Sequence, residues 1–253
     1  MRFNSTRRRA FSLIELSIVL IIIGLLIAGV TGGASLIKSS ELRSVITESR
    51  TWSVSVNSFF NQFDNLPGDY SGTLGLPEGG NGDGRIQFSN AAAATADRSN
   101  FEGRNAWRQL SITNILDSSV VYSSATNTAA ISTNPITTAL SSFGDEVPSS
   151  KIGSAGWDFD YNNTTGHNVV VITGTIAASN TPDTNTLVNG TFVSSGVLTP
   201  TDALSLDSKY DDGASNAGSI QGIGADCIFN TSQYKTIDSD EECALSFRVD
   251  VNS

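Results

Sequence analysis

The sequence predicts an α+β fold: one long N-terminal helix, packed in its second half on a C-terminal head that carries an antiparallel β-sheet. Three observations point there. An uncharged run of 22 residues, Leu16 to Ile37, passes into a stripe of apolar residues at helical spacing. Several later segments read as short strands bounded by turns. Turns, not helices, separate those strands, so a sheet of hairpins is favoured over a parallel sheet with helical crossovers.

The helix comes first. At about 1.5 Å per residue, Leu16 to Ile37 can cross a hydrocarbon layer of about 30 Å. Glu15 is the one carboxylate at its mouth, and no further charge appears until Lys38. A lone ionisable group in an apolar segment is costly without a partner, so it points to a function. Arg2, Arg7, Arg8 and Arg9 precede the run with no acid among them, which keeps that end on the cytoplasmic side. From Ser39 the pattern turns amphipathic. Leu42, Val45, Trp52, Val56, Phe59 and Phe63 fall on one stripe, with Ser49 filling the gap. Glu41, Arg43, Glu48 and Arg50 lie off it. Pro67-Gly68 ends the pattern. One helix is therefore expected from about Phe11 to about Asp64, on the order of 80 Å long. The expected divisions are 1–10, 11–38, 39–64 and a head over 65–253. Gly24, Gly29, Gly32 and Gly33 interrupt the apolar half, for local melting or for close helix packing.

Three readings suit such an N-terminus. A plain anchor leaves Glu15 without a purpose. An ordinary secretory signal, cut near Gly33-Ala34, has too long an apolar stretch. The third is a leader cut before the apolar segment. The string Arg-Ala10, Phe11-Ser12-Leu13-Ile14-Glu15-Leu16 resembles the type IV pilins and the pseudopilins of type II secretion. The resemblance implies that a prepilin peptidase cuts between Ala10 and Phe11 and N-methylates the new amino terminus. Glu15 then becomes the fifth residue of the mature chain. Where the family usually has Gly before the cut, this chain has Ala10. The resemblance also implies a helical filament in which Glu15 of one subunit meets the Phe11 amine of its neighbour. A paired buried charge is tolerated where an unpaired one is penalised.

The head follows. Residues 65–100 read as loop, with Leu66-Pro67-Gly68-Asp69 and Gly80-Asn81-Gly82-Asp83-Gly84 as its marked strings. Both resemble strings of a subset of pilin-like proteins. Asn81 and Asp83 look like half of a calcium loop, but the following Glu of an EF-hand is absent, and a Gly-rich surface turn is the plainer reading. Asn105 to Leu116 reads as a short helix with Trp107, Leu110 and Ile115 inward. Residues 123–150 are Ser-, Thr-, Asn- and Ala-rich and read as irregular. Val169 to Thr173 is the clearest strand; Thr191 to Val193 and Val197-Leu198 are others. Leu245 to Val251 alternates and reads as a half-exposed closing strand. Thr199-Pro200 opens a short capped helix.

Among candidate chemistry, Asp207, Asp211 and Asp212 place three carboxylates in six positions beside a Gly turn. They offer the hard oxygens that Ca²⁺ takes, and a solvated acidic turn with Asp caps uses the same residues. Type II major pseudopilins have a calcium site in this part of the head, so the resemblance strengthens the case for the ion without assigning residues to it; the solvated acidic turn is the plainer reading. Cys227 and Cys243, sixteen positions apart, would form a disulfide in an exported chain and remain thiols in a reducing compartment. They also resemble the disulfide-bounded C-terminal region of type IV pilins. His167 is the one histidine, and no nucleophile–base pattern accompanies it. Pairs such as Asp158 and Asp160 read as surface charge. Net charge is −10, and the 243 residues after the leader carry 11 basic and 25 acidic groups, or −14. Such a body does not suit nucleic acid, which needs clustered cations.

The expected function is structural rather than enzymatic. The subunit would sit in a bacterial inner membrane with its N-terminus cytoplasmic, then join a periplasmic or extracellular filament. Its implied partners are the prepilin peptidase, copies of itself and other pilin-like subunits, and an inner-membrane assembly platform. A minor subunit at a filament tip is one form of this reading. A membrane-anchored periplasmic or surface binding module outside any filament, adhesin-like, is the alternative from a different class.

Overall fold

The computed structural model describes residues 13–72, 80–87, 102–116, 147–153, 155–174, 176–178, 192–194, 196–224, 226–230 and 232–251. Contacts divide the chain into two compact units, Met1–Glu41 and Leu42–Ser253. Helix α1, Leu13–Phe63, belongs to both.

In the first unit the side chains of α1 from Leu13 to Leu36 are almost all exposed. A helix surface of Leu, Ile and Val exposed all round is one that water does not stabilise. It is long and apolar enough to cross a membrane.

In the second unit α1 has one buried face. Val45, Ile46, Ser49, Ser55, Val56 and Phe59 are buried, with Leu42, Trp52, Phe60 and Phe63 packed partly against the core. The expected stripe is present, widened by its neighbours Ile46, Ser55 and Phe60. The helix stops at Phe63 because Asp64 turns left-handed (φ 54°). Its N–H donates to the Phe60 carbonyl (2.8 Å), capping the last turn. Glu48 fastens this helix to the head. It accepts from the Ser150 hydroxyl (2.7 Å), the Lys151 N–H (3.1 Å) and the Trp157 indole N–H (2.8 Å). Trp52 sits edge-on to Trp107 at 5.0 Å and to Trp157 at 6.5 Å.

Helix α2 is Glu102–Ile112. It begins three residues earlier than the pattern suggested and stops before Asn114, which is left-handed (φ 55°). Trp107 and Leu110 are fully buried as expected, whereas Ile115 lies beyond the helix and packs partly on the core. The strands are β1 Gly156–Asn162, β2 His167–Thr173, β3 Ile176–Ala178, β4 Phe192–Ser194, β5 Ile220–Ile223, β6 Ile228–Asn230, β7 Gln233–Tyr234 and β8 Ala244–Arg248; α3, Pro200–Tyr210, precedes β5. The main sheet is antiparallel in the order β1-β2-β8-β5. β3 pairs with β4, and β6 with β7.

Four expectations need correction. β8 was expected half-exposed, but Ala244 to Phe247 are all buried. It is an inner strand, hydrogen-bonded on both sides, and its alternate residue Ser246 is covered, its hydroxyl donating to the Gln221 carbonyl (3.3 Å). Val197-Leu198 forms an isolated bridge to Cys243, not a strand. β1 has no counterpart among the expected strands, because acids interleave its aromatic residues. Asp158 and Asp160 are buried, not surface charge. Asp158 Oδ1 accepts from the Trp107 indole (3.2 Å) and the Phe159 N–H (2.8 Å), while Asp160 accepts from the Tyr161 N–H (2.7 Å). Charged groups enter a core when donors meet them.

Helix α3 follows the sequence closely. The Thr199 hydroxyl accepts the Asp202 N–H (3.1 Å), and Pro200 opens the helix. Cys227 and Cys243 form a disulfide, both fully buried. Most of 123–150 lies outside the described residues.

Candidate functional site

Four places in the chain hold candidate functional residues. The first is the start of α1. Ala10 and Phe11 lie outside the described residues. Glu15 stands in the first turn of the helix, where a negative charge complements the exposed N–H groups. A Cβ at Gly24, Gly29, Gly32 or Gly33 would meet nothing within 4 Å. No contact among the described residues therefore calls for glycine at those positions.

The second is the end of α3. One carboxylate oxygen each from Asp207, Asp211 and Asp212 lies within 4.8 Å of the others. The spacing across the helix end and its following turn brings them together. Asp207 is fully buried. It accepts from the Gly213 N–H (3.1 Å) and the Tyr234 hydroxyl (2.9 Å). Burial pushes its carboxyl up to about 6, against the pull of those two donors, with Asp212 and Asp211 adding to the rise. Burial and the adjoining Asp207 also push the Tyr234 phenol upward. Asp211 accepts from the Ser219 and Ile220 N–H groups (2.5 and 2.8 Å), and Asp212 from Ala214 N–H (2.8 Å). The same carboxylates thus cap the turn and form a set of hard oxygens that fits a divalent cation.

The third place was marked in the sequence only in part: Asp69 and Asp83 stand in its two marked strings, but Glu102 was not connected to them. Asp69 and Glu102, both fully buried, lie with Asp83 so that one oxygen of each is within 4.8 Å of the others. Asp69 accepts from three successive N–H groups: Gly82 (2.6 Å), Asp83 (3.0 Å) and Gly84 (2.8 Å). Gly82 and Gly84 are left-handed (φ 75° and 82°), the alternation that turns successive amides toward one anion. Glu102 accepts from Asn81 (3.3 Å) and Gln87 (3.0 Å) N–H groups. Burial pushes its carboxyl up to about 8, with Asp69 and Asp83 adding to the rise and the two amides opposing it. Asp69 is also raised by burial, in spite of its three amides. The missing acid of the half calcium loop is thus approached in space, by α2 and by the segment after α1. The sequence signals were the Leu66-Pro67-Gly68-Asp69 string and the Asn81-Gly82-Asp83 alternation; nothing local connects the two to each other or to Glu102, 19 residues beyond Asp83.

The fourth is a groove of about 600 Å³ beside that loop, bordered by Phe60, Asp64, Arg85, Tyr161, Arg248 and Asp250, among others. At its edge Asp250 joins His167 Nδ1 (2.6 Å) and Arg248 Nε (2.6 Å), and accepts the Asn168 N–H (2.8 Å). His167 is therefore held at the rim by its contact with Asp250, which Arg248 also engages.

Residues 5–31 match the family model described as the prokaryotic N-terminal methylation motif. That motif is the signature of type IV pilins and pseudopilins. The match ends within the apolar part of α1, and the long helix followed by an antiparallel sheet gives the pilin-like layout to the rest of the chain. No curated protein and no solved structure matched the chain.

Proposed function

We propose that this chain is a structural subunit of a helical filament of the type IV pilus or type II secretion kind. The carrying observation is the methylation motif over residues 5–31, running into a helix whose apolar surface is exposed on all sides. Such a surface calls for lipid before assembly and for other helices after it. The prepilin peptidase removes residues 1–10 between Ala10 and Phe11 and methylates the Phe11 amine. Until assembly the subunit waits in the inner membrane with its N-terminus cytoplasmic. An assembly platform then delivers it to a periplasmic or extracellular filament made of copies and other pilin-like subunits. In that filament the Glu15 carboxylate meets the Phe11 amine of a neighbour and sets the register. Among helices, a charge left unpaired by the wrong register is strongly disfavoured.

Mass spectrometry of the mature N-terminus tests the first step. N-methyl-Phe11 supports the reading; a chain that starts at Ser35, or keeps Met1, refutes it. Glu15→Val tests the second: the variant should insert in the membrane normally and fail to assemble. Normal filaments from it would remove the register role.

A membrane-anchored binding module outside a filament is the second reading, favoured by the groove. N-methyl-Phe11 together with fractionation as single subunits would support it.

A further inference from the structure

The groove has a charge pattern of its own. Phe60, Leu66 and Val251 give it apolar ground; Asp64, Asp69, Asp83 and Asp250 face Arg85 and Arg248 around it. That is four carboxylates against two guanidiniums, on a chain already at −10. Two of the four are engaged by the fold: Asp69 by three amides, and Asp250 by Arg248, His167 and Asn168. The other two, Asp64 and Asp83, are exposed. Asp83 accepts only the Arg85 N–H (3.0 Å) and the Asn81 side-chain amide (3.3 Å), both in its own turn. No partner meets the Asp64 carboxylate among the described residues. Arg85 lies over the Tyr161 ring at 4.7 Å, a stacking contact that attracts its charge, and no acid pairs with it among the described residues.

We propose that this groove binds a lysine- or arginine-bearing peptide segment of a partner protein. The cationic head lies against Asp64 and Asp83, and the alkyl stem lies along Phe60, Leu66 and Val251. The residual negative charge attracts cations and opposes anions. The apolar ground beside the acids selects a cation on a hydrocarbon stem, the way lysine and arginine cover apolar surface while their heads stay solvated. A volume of about 600 Å³ lies in the range of sites that take a ligand of a few residues. The proposal holds whether or not the chain assembles into a filament.

The test is fluorescence polarisation with the full chain in detergent and EDTA. The probe is labelled Gly-Lys-Gly-Lys-Gly, compared with the same peptide carrying diaminopropionic acid, which keeps the charge and shortens the stem, and with one carrying Glu. The lysine peptide should bind best. Asp64→Asn should weaken it by about tenfold, whereas Glu241→Gln, an exposed acid remote in sequence, should leave it unchanged. Asn tolerates the left-handed backbone at position 64, and an unchanged unfolding midpoint confirms that the variant folds. Equal binding of the two cationic peptides, or equal losses in the two variants, would mean diffuse attraction to an acidic surface and would overturn the proposal. No binding, or tighter binding of the Glu peptide, would overturn it as well.

Discussion

Glu48 offers the sharpest test of how the second half of α1 is held to the head. Its carboxylate accepts three hydrogen bonds, two of them from residues just before β1 and one from Trp157 in β1. In Glu48→Ala these donors lose their partner, but not equally. The Lys151 N–H lies at an exposed position, and water can replace its acceptor. Ser150 is at the margin of burial and its hydroxyl can rotate to another acceptor. The Trp157 indole is fully buried. Leaving a buried donor unsatisfied costs about 1–3 kcal/mol, and a hydrogen bond to a charged group contributes about 1.5–3 kcal/mol. The loss is expected at roughly 2–4 kcal/mol, which for a chain of this size lowers Tm by on the order of 4–15 °C. Glu48→Gln keeps one acceptor oxygen and should lose about half as much. Urea unfolding of the full chain in detergent, followed by tryptophan fluorescence, reads all three indoles of this cluster. A Glu48→Ala midpoint equivalent to less than about 0.5 kcal/mol from the parent, the range of ordinary surface changes, would refute the role assigned to these bonds.

Other perturbations have equally definite outcomes. Glu102 has its folded pKa raised from 4.5 to about 8, so the folded state holds a proton that the unfolded state releases. Its contribution is complete below about pH 4.5 and is lost as pH rises toward 8; urea midpoints in EDTA should fall across that window, and Glu102→Gln should flatten the fall. A parent chain with no slope between pH 5 and 8 would contradict the burial of this carboxyl. If the acids at the end of α3 hold calcium, Ca²⁺ should raise the melting temperature and EDTA lower it, and Asp211→Asn should reduce the difference; identical melts in both solutions would remove calcium from the account. Replacing Cys227 and Cys243 together by Ser should cost roughly 3 kcal/mol, the entropy of the closed loop. A double variant as stable as the parent would contradict it.

Much of the architecture could be read from side-chain order. The stripe from Leu42 to Phe63 is a period that only a helix satisfies, and its burial follows from that spacing. Thr199-Pro200 carries a complete local instruction, a cap and a first-turn proline, so α3 starts where the pattern places it. β1 was hidden for a physical reason. Asp158 and Asp160 look like surface charge until the N–H groups of Phe159 and Tyr161 and, for Asp158, the Trp107 indole from α2 meet them; the last of these is not encoded nearby. β8 alternates as a half-exposed strand does, but pairing on both sides buries its polar positions too. The acids of 207–212 stand close in sequence and meet in space. The meeting of Asp69 with Glu102 depends on three separated segments, and no local pattern encodes it.

The grip of three amides on Asp69 has a consequence for how this head is inherited and engineered. The turn at 81–85 is shaped around a carboxylate supplied from 13 residues upstream. Without it, the Gly82 and Gly84 N–H groups would lose their acceptor and the Asp83 N–H would keep only Asn81 Oδ1; without the two left-handed glycines, the carboxylate would be buried with no such cradle of donors. Leu-Pro-Gly-Asp and Gly-Asn-Gly-Asp-Gly are then a lock and its key on one chain. Grafting either string alone into another head should fail, while moving both should carry the turn with them.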